Sequence, residues 1–394
     1  MADLLNGIRV LDFGRYIAGP FCAALLGDLG ADVIRVEKVD GGEDRYLMPV
    51  TSEGDGGFYL QINRSKRGMT LDIRRREGQF VLKRLVPTAD VVIANLPDET
   101  LERFGLDYKS LCMVKPDVIL TSVSAFGSEG PSSSKLGFDA IGQAMSGTMY
   151  LSGRPGEPTK AYSPYVDFST ALVATVGTLA ALMARSQTGQ GQQVRASLLS
   201  TALTIANGAI IEQAMIHPDR VASLNRSQTQ APSDAYRTSD GWIIVQCIGQ
   251  TLFSRWAELM GDSHWLEDSR FATDQSRGDH GAVISERMVS WCSSRTTDQA
   301  LAALESARIP AGPVLSPQQV LEDAHIKATA FLRSLAVPGS AVEVPVANTP
   351  FTLSATAAHI RQRAPVLGEH TEAILSEIGY SRSAVDHLRE RGVI

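Results

Sequence analysis

The chain has 394 residues, 44% of them hydrophobic and 20% charged, a balance typical of folded globular proteins and far from that of disordered ones. Its 37 basic and 43 acidic residues give a net charge of −6, which argues against a general nucleic-acid binder, a role that needs a basic surface. Four widely spaced cysteines, Cys22, Cys112, Cys247 and Cys292, form no C-x-x-C pair; they predict neither a zinc knuckle nor a disulfide framework and point to a reducing compartment. The seven histidines include no H-x-x-x-H spacing, so no metal site is expected. The first residues show no basic-then-apolar signal pattern, and a cytoplasmic location is the expectation. Two uncharged runs, Phe168 to Ala184 and Ala196 to Ile211, fall short of the roughly 20 apolar residues of a membrane span and read as buried helices, with no membrane partner expected.

In chain order, Ile8–Phe13 reads as a strand ending at Gly14, and Ala18–Gly30 as a helix with Pro20 in its first turn and Gly30 at its stop. Ala31–Glu37, Gly68–Ile73, Asp90–Ala94 and Asp117–Ser122 read as further strands, with helices at Glu77–Leu85 and Glu99–Phe104. This alternation predicts a parallel sheet with helices on its faces. From about residue 135 the pattern changes. Phe138–Met149 reads as helical, Ser152–Pro164 as a Gly/Pro-rich loop, and 168–185 and 196–215 as two apolar helices around the turn Ser186–Gly191. Arg220–Asp234 reads as a linker, and Gly241–Cys247 opens a smaller unit reaching to about Val314. The tail from Phe331 predicts one or two strands and a helix at Thr371–Ile378. Two domains are expected.

The first strand–helix–strand unit ends in Glu37, the order of a dinucleotide-binding unit, but its loop Gly14-Arg-Tyr-Ile-Ala-Gly19 lacks the middle glycine of G-x-G-x-x-G. A doubly wound sheet without that cofactor is the expectation. No G-x-S-x-G elbow is present. Asp167 stands between the Pro/Gly loop and an apolar helix, and its ordinary reading is a helix N-cap. The helix dipole would stabilise its carboxylate, and free N–H groups there could hold an oxyanion during acyl transfer. Lys38, Arg64, Lys66, Arg67 and Arg103 lie near predicted strand ends, where open sheets bind ligands, whereas Arg74–Arg76 reads as a solvated face.

A set of motifs spread over nearly the whole chain resembles the family III CoA-transferases of the CaiB/BaiF type. They are Leu5–Phe13, Ala18-Gly-Pro20, Leu29–Glu37, Asn63–Arg67 with Leu71-Asp72, Gly127–Pro131, Gly137-Phe-Asp139, Asp167, Thr188–Val194, Ile309–Val314 and Leu367–Thr371. The resemblance implies an α/β fold: a large Rossmann-like parallel-sheet domain formed by both chain ends plus a small α/β domain, in an interlocked dimer. It divides the chain into the N-terminal part of a large CoA-binding domain at 1–205, a linker at 206–235, a small domain at 236–320, and a return linker with the rest of the large domain at 321–394. The segments near 205–235 and 315–340 would then be crossovers between subunits.

By the same resemblance Asp167 is the nucleophile, ionised and shielded from water. It attacks a donor acyl-CoA to give a mixed anhydride and then an aspartyl-CoA thioester, from which CoA passes to an acceptor carboxylic acid. Lys38, Arg67, Leu71, Asn95 and Arg103 are implied to line CoA, with Tyr16, Ile17 and Phe138 near the thioester. CoA enters as substrate, and no tightly bound cofactor is implied. The related α-methylacyl-CoA racemases carry His where Phe138 stands, and phenylalanine moves no proton. Formyl-CoA:oxalate transferases carry Gln at the place of Ile17 and a glycine run where Ser227–Pro232 has none. A succinyl-CoA:dicarboxylate reaction and a larger, less polar acid both remain open, as do α-methylacyl-CoA racemisation, disfavoured by Phe138 but left some room by Asp139 and Asp167, and an acyl-CoA-binding protein without turnover.

Overall fold

The computed structural model describes residues 3–394. The chain folds into two compact units, the first made of the chain up to Ser146, Ala161–Ile211 and Lys327–Ile394, the second of Gly147–Lys160 and Glu212–Ile326. The first unit therefore draws on both chain ends.

Its frame is a six-stranded parallel sheet of β1 (Arg9–Asp12), β2 (Asp32–Glu37), β3 (Lys66–Thr70), β4 (Val91–Ala94), β5 (Ile119–Ser124) and β6 (Gln193–Ser197), in the order β3-β2-β1-β4-β5-β6. Strand order reverses between β1 and β4, so a crevice opens there outside the carboxyl ends, the place where doubly wound sheets take their ligands. β1 to β5 fall within three residues of their expected places. β6 was hidden in the stretch read as a turn and a helix start. Its sequence Gln-Val-Arg-Ala-Ser is half-exposed at the sheet edge, so it carries no apolar run to mark it. The short helices Gly57–Ile62 and Tyr108–Val114 and the terminal helix Arg382–Glu390 were also unforeseen.

The two apolar runs form helices Tyr165–Thr188 and Leu198–Ile216. At 24 and 19 residues they are long and apolar enough to cross a membrane by length and composition, so the length argument made from the sequence does not hold. Packing separates the two. The first lies on the sheet: Thr178 meets Thr121 of β5 at 2.7 Å, and Phe168 meets Phe21 edge-on at 5.0 Å. The second leaves Ile205, Ile211, Met215 and Ile216 exposed.

Beneath the carboxyl ends of β1 and β2 lies a buried set of charges. Lys66 Nζ donates to Asp12 at 2.7 Å, Arg35 to Asp44 at 2.8 Å, and Arg45 to Glu37 at 2.6 Å and Asp55 at 2.8 Å. Burial pushes the Lys66 ammonium down to about 8 against the pull of Asp12. Arg35 also donates to the carbonyl of Gly14, whose own N–H donates to Asp12 at 2.8 Å. The loop after β1 is thus fastened from below. A Cβ on Gly14 would stand 2.7 Å from Pro20, and one on Gly19 would stand 3.2 Å from the Gly14 Cα. Close packing of loop against helix accounts for both glycines without a dinucleotide.

The second unit contains the antiparallel sheet of Ser233–Arg237, Trp242–Gln246 and Ala311–Pro313, with a core around Phe253, Trp256, Phe271, Met288 and Trp291. The segment Gly147–Lys160, read from the sequence as helix end and loop, belongs to this unit. It forms a short helix Thr148–Leu151 and a two-residue hairpin, whose Gly153 carbonyl accepts from Leu224 at 2.7 Å.

Candidate active site

Asp167 is the third residue of helix Tyr165–Thr188, and the N-cap position belongs to Pro164. The capping expected of Asp167 is supplied instead by Asp139, the first residue of helix Asp139–Met145. Asp139 Oδ1 accepts from the N–H of Val166 at 2.8 Å and from that of Asp167 at 3.1 Å. Its Oδ2 accepts from Gln143 Nε2 at 2.5 Å, and Gln143 Oε1 accepts from the Ala161 N–H at 2.9 Å. A carboxylate and an amide therefore fix the helix start and the strand of chain leading to it.

The N–H of Tyr165 goes to the Ser163 carbonyl at 2.9 Å and that of Phe168 to Pro164 at 3.2 Å. All four donors of the first turn are engaged, so this terminus offers no free oxyanion hole. Among the described residues, none donates a hydrogen bond to the Asp167 carboxylate. The group is buried, 8% exposed, and burial first, with the nearby Asp139 charge second, pushes its pKa up to about 7. Desolvation outweighs the dipole here. The carboxylate is then a stronger nucleophile than an ordinary one when ionised, and it shares neutral pH between its two forms.

The loop after β1 forms one wall of an adjacent cleft. Asn95, just beyond β4, accepts from the Arg15 N–H at 2.7 Å and donates to the Arg15 carbonyl at 2.7 Å, bridging the two loops at the switch point. Both of its polar side-chain atoms are thereby used. Tyr16 adopts φ +59°, and its ring meets Phe138 edge-on at 5.0 Å. A cleft of ≈ 240 Å³ is lined by Tyr16, Ile17, Asp44, Leu47, Phe58, Ile62, Tyr162 and Pro164. It reaches to within three residues of Asp167 along the chain, and its walls are mostly apolar.

Lys38 follows the carboxyl end of β2, half-exposed and paired with Glu43 at 2.9 Å. Arg103 lies exposed in helix Asp98–Phe104, which begins just beyond β4, with Thr100 Oγ1 at 3.3 Å. Leu71 follows β3 with its side chain in the core, so only its backbone can meet a ligand. Arg67 is not brought to this end. It sits near the amino end of β3, where Asp32 at 2.7 Å and Glu377 at 2.6 Å hold its guanidinium. Arg64 and Lys66 are likewise buried, on Asp28 and Asp12. These three cations precede or open β3 and so stand at its amino end, whereas open sheets take their ligands at the carboxyl ends; nearness to a strand end does not suffice. Sequence reading missed Asp139 as the capping group and Gln143 behind it, although Asp-x-x-x-Gln places both on one helix face. Among the described residues, no group of three or more His, Cys, Asp or Glu could hold a metal.

A buried carboxylate of raised pKa at the carboxyl-end side of a doubly wound sheet agrees with what the chain resembles. The model of CoA-transferase family III matches residues 5–371. The chain belongs to this family. Relatives include the succinyl-CoA–D-citramalate CoA-transferase of Chloroflexus aurantiacus, 34% identical with 99% of this chain and 98% of that one covered. The succinate–glutarate CoA-transferase of Agrobacterium fabrum is 32% identical with 95% of both covered. Among solved structures, a CaiB/BaiF family protein from Brucella suis superimposes with a TM-score of 0.83 at 32% identity, covering 95% of this chain and 98% of that one. The protein is therefore a family III CoA-transferase, an enzyme whose substrates are CoA thioesters.

Two substitutions test the site. Asp167 binds a proton in the folded state up to about pH 7 but loses it near 3.9 when unfolded. Its contribution to stability is therefore lost as pH rises from about 4 to 7, by on the order of a few kcal/mol. Asp167→Asn should gain stability relative to wild type across that window and show no growing advantage below it, read from urea unfolding at pH 4, 6 and 8. Asp139→Asn removes the like charge and turns an amide donor toward Gln143. The rising limb of the pH–rate profile should move down by about 1 unit, and a limb that stays or moves up contradicts this account.

Proposed function

We propose that the enzyme moves CoA between carboxylic acids, with succinyl-CoA as donor and a dicarboxylic acid as acceptor, through covalent intermediates on Asp167. The observation that carries this reading is the Asp167 carboxylate itself: buried, unpaired and raised to about 7, beside an apolar cleft. The named specificities of the Chloroflexus and Agrobacterium relatives support the substrate class.

In this mechanism an Asp167 oxygen attacks the thioester carbonyl carbon, the C–S bond breaks, and CoA thiolate leaves a mixed anhydride. The thiolate attacks the aspartyl carbonyl and expels the donor acid as a carboxylate. The acceptor carboxylate then attacks the aspartyl-CoA thioester and releases thiolate once more. Thiolate attacks the acceptor's carbonyl in the second anhydride, which returns Asp167 and yields the new acyl-CoA. No net proton is taken up, and thioester energy is conserved throughout. Both intermediates hydrolyse if water reaches them, which suits a buried carboxylate whose helix starts beside a cleft lined by Ile17, Phe58, Ile62 and Pro164. Tyr16, Ile17 and Phe138 would flank the thioester, while Lys38, Arg103 and the Leu71 backbone would meet the CoA moiety. Asn95 would act by holding the Arg15 loop. Phe138 disfavours the racemase reaction, since it cannot exchange a proton.

The exposed apolar side chains of Ile205, Ile211, Met215 and Ile216, with Val176 and Met183 on the preceding helix, support a homodimer that covers them. The interlocked form comes from the family resemblance. Light scattering on the purified chain should give twice its 42.4 kDa mass, and a monomer at micromolar concentration would refute the dimer.

The chemistry is tested by hydroxylamine trapping with mass spectrometry. Succinyl-CoA should add an aspartyl hydroxamate to the peptide containing Asp167, and Asp167→Ala should abolish it. If no donor gives the adduct while solvent deuterium enters the α-carbon of a 2-methylacyl-CoA, racemisation replaces transfer. If CoA esters bind with neither result, the protein is a binder only.

A further inference from the structure

The carboxyl ends of β1 and β2 are each followed by a cation, Arg15 and Lys38, and one carboxylate holds both. Glu43 Oε2 accepts from the Arg15 guanidinium, and Oε1 accepts from the Lys38 ammonium at 2.9 Å. Asp40 stands 3.9 Å from the same ammonium. The three main side chains are open to solvent, with 39%, 37% and 54% of Arg15, Lys38 and Glu43 exposed. Pairs of this kind add little to stability.

Their backbone is nonetheless held firmly. Arg15 is clamped by Asn95 on both its N–H and its carbonyl, each at 2.7 Å. Glu43 opens a 3-10 turn, Glu43–Tyr46, whose next two residues are buried anchors. Asp44 is fixed by Arg35 at 2.8 Å, and Arg45 by Glu37 at 2.6 Å and Asp55 at 2.8 Å. Rigid supports thus present two cations and one anion beyond the carboxyl ends of β1 and β2. The fold gains little from that arrangement, but an anionic ligand can use it.

We propose that Arg15 and Lys38 form a phosphate-binding pair and that Glu43 is its resident counter-ion, displaced when a phosphate group of CoA arrives. The proposal rests on the CoA-transferase reading and adds Arg15 and Glu43 to it. A phosphate carries more negative charge than a carboxylate and offers more acceptor oxygens, so it wins the exchange. Breaking the Glu43 contacts costs free energy at that moment, so the presence of Glu43 weakens CoA binding. In the empty site Glu43 holds together two cations that would otherwise repel each other, and its return assists release of the product thioester.

Glu43→Gln keeps the size and removes the charge. Titration calorimetry of the full chain with CoA at low salt should show Kd falling by about three- to tenfold. The gain should shrink as ionic strength rises, because the charges are exposed. In an Arg15→Gln background, which by itself weakens CoA binding, the effect of Glu43→Gln should be reduced. Unchanged or weaker CoA binding in Glu43→Gln overturns the proposal, and so does unaltered affinity in Arg15→Gln. If the wild-type chain binds no CoA, the CoA reading falls and this proposal with it. That result differs from a wild type that binds CoA and a variant that binds it equally well.

Discussion

The candidate site depends on two hydrogen bonds from backbone N–H groups to one carboxylate. Asp139 accepts the donors of Val166 and Asp167, so the buried start of the long helix is satisfied without using the side chain of Asp167. A buried helix terminus must find acceptors somewhere. If Asp167 supplied them it would be an ionised cap of lowered pKa, and a poor nucleophile. Because its neighbour supplies them, Asp167 is left desolvated and unpaired. The same neighbour adds a negative charge that makes ionisation harder still. This opposition between stability and reactivity is expected where a fold carries a catalytic carboxylate.

The second support lies on the other side of the cleft, in the buried charges Asp12, Lys66, Arg35, Asp44, Glu37 and Arg45. Burying so many ions is costly, and well-packed apolar side chains would stabilise the protein as well or better. Position is what these ions supply. Arg35 and Asp12 hold Gly14 by its carbonyl and its N–H, so the loop carrying Arg15, Tyr16 and Ile17 leaves β1 in one direction. Asp44 and Arg45 fix the turn that carries Glu43 and leads into Leu47. The cleft wall and the cation pair above it are thus two outputs of one network.

The sequence read the frame well because the frame obeys local rules. β-branched runs alternating with amphipathic helices, punctuated by glycines, marked β1 to β5 and most of the helices between them. The failures have physical causes. β6 is a polar edge strand, and Gly57–Ile62 is a short helix held mainly by tertiary packing. Gly14 and Gly19 looked like an incomplete phosphate loop, but steric contact between loop and helix requires them. Arg64, Lys66 and Arg67 lie at the amino end of β3, away from the carboxyl-end crevice, and are held in ion pairs inside the fold or at its far end. Asp167 is singled out by its family motif alone; as local sequence it reads as a cap, because aspartate before an apolar helix usually is one. Only the fold could show that the capping group came from 28 residues earlier in the chain.

Ile17 and Phe138 tie the architecture to the choice of reaction. In a proton-transfer enzyme the position of Phe138 would have to carry an acid or base, and water would be tolerated near it. Here that ring meets Tyr16 edge-on, and Ile17, Phe58 and Ile62 line the cleft beside them. An apolar wall moves no protons, but it would protect the anhydride of the proposed mechanism. Under the proposed mechanism it would also leave the intermediate's fate to competition between thiolate and carboxylate, both anions that a desolvated pocket makes more reactive. In the mechanism proposed above, the features that make Asp167 expensive to bury would also let a covalent aspartyl intermediate outlast the exchange of one acid for another.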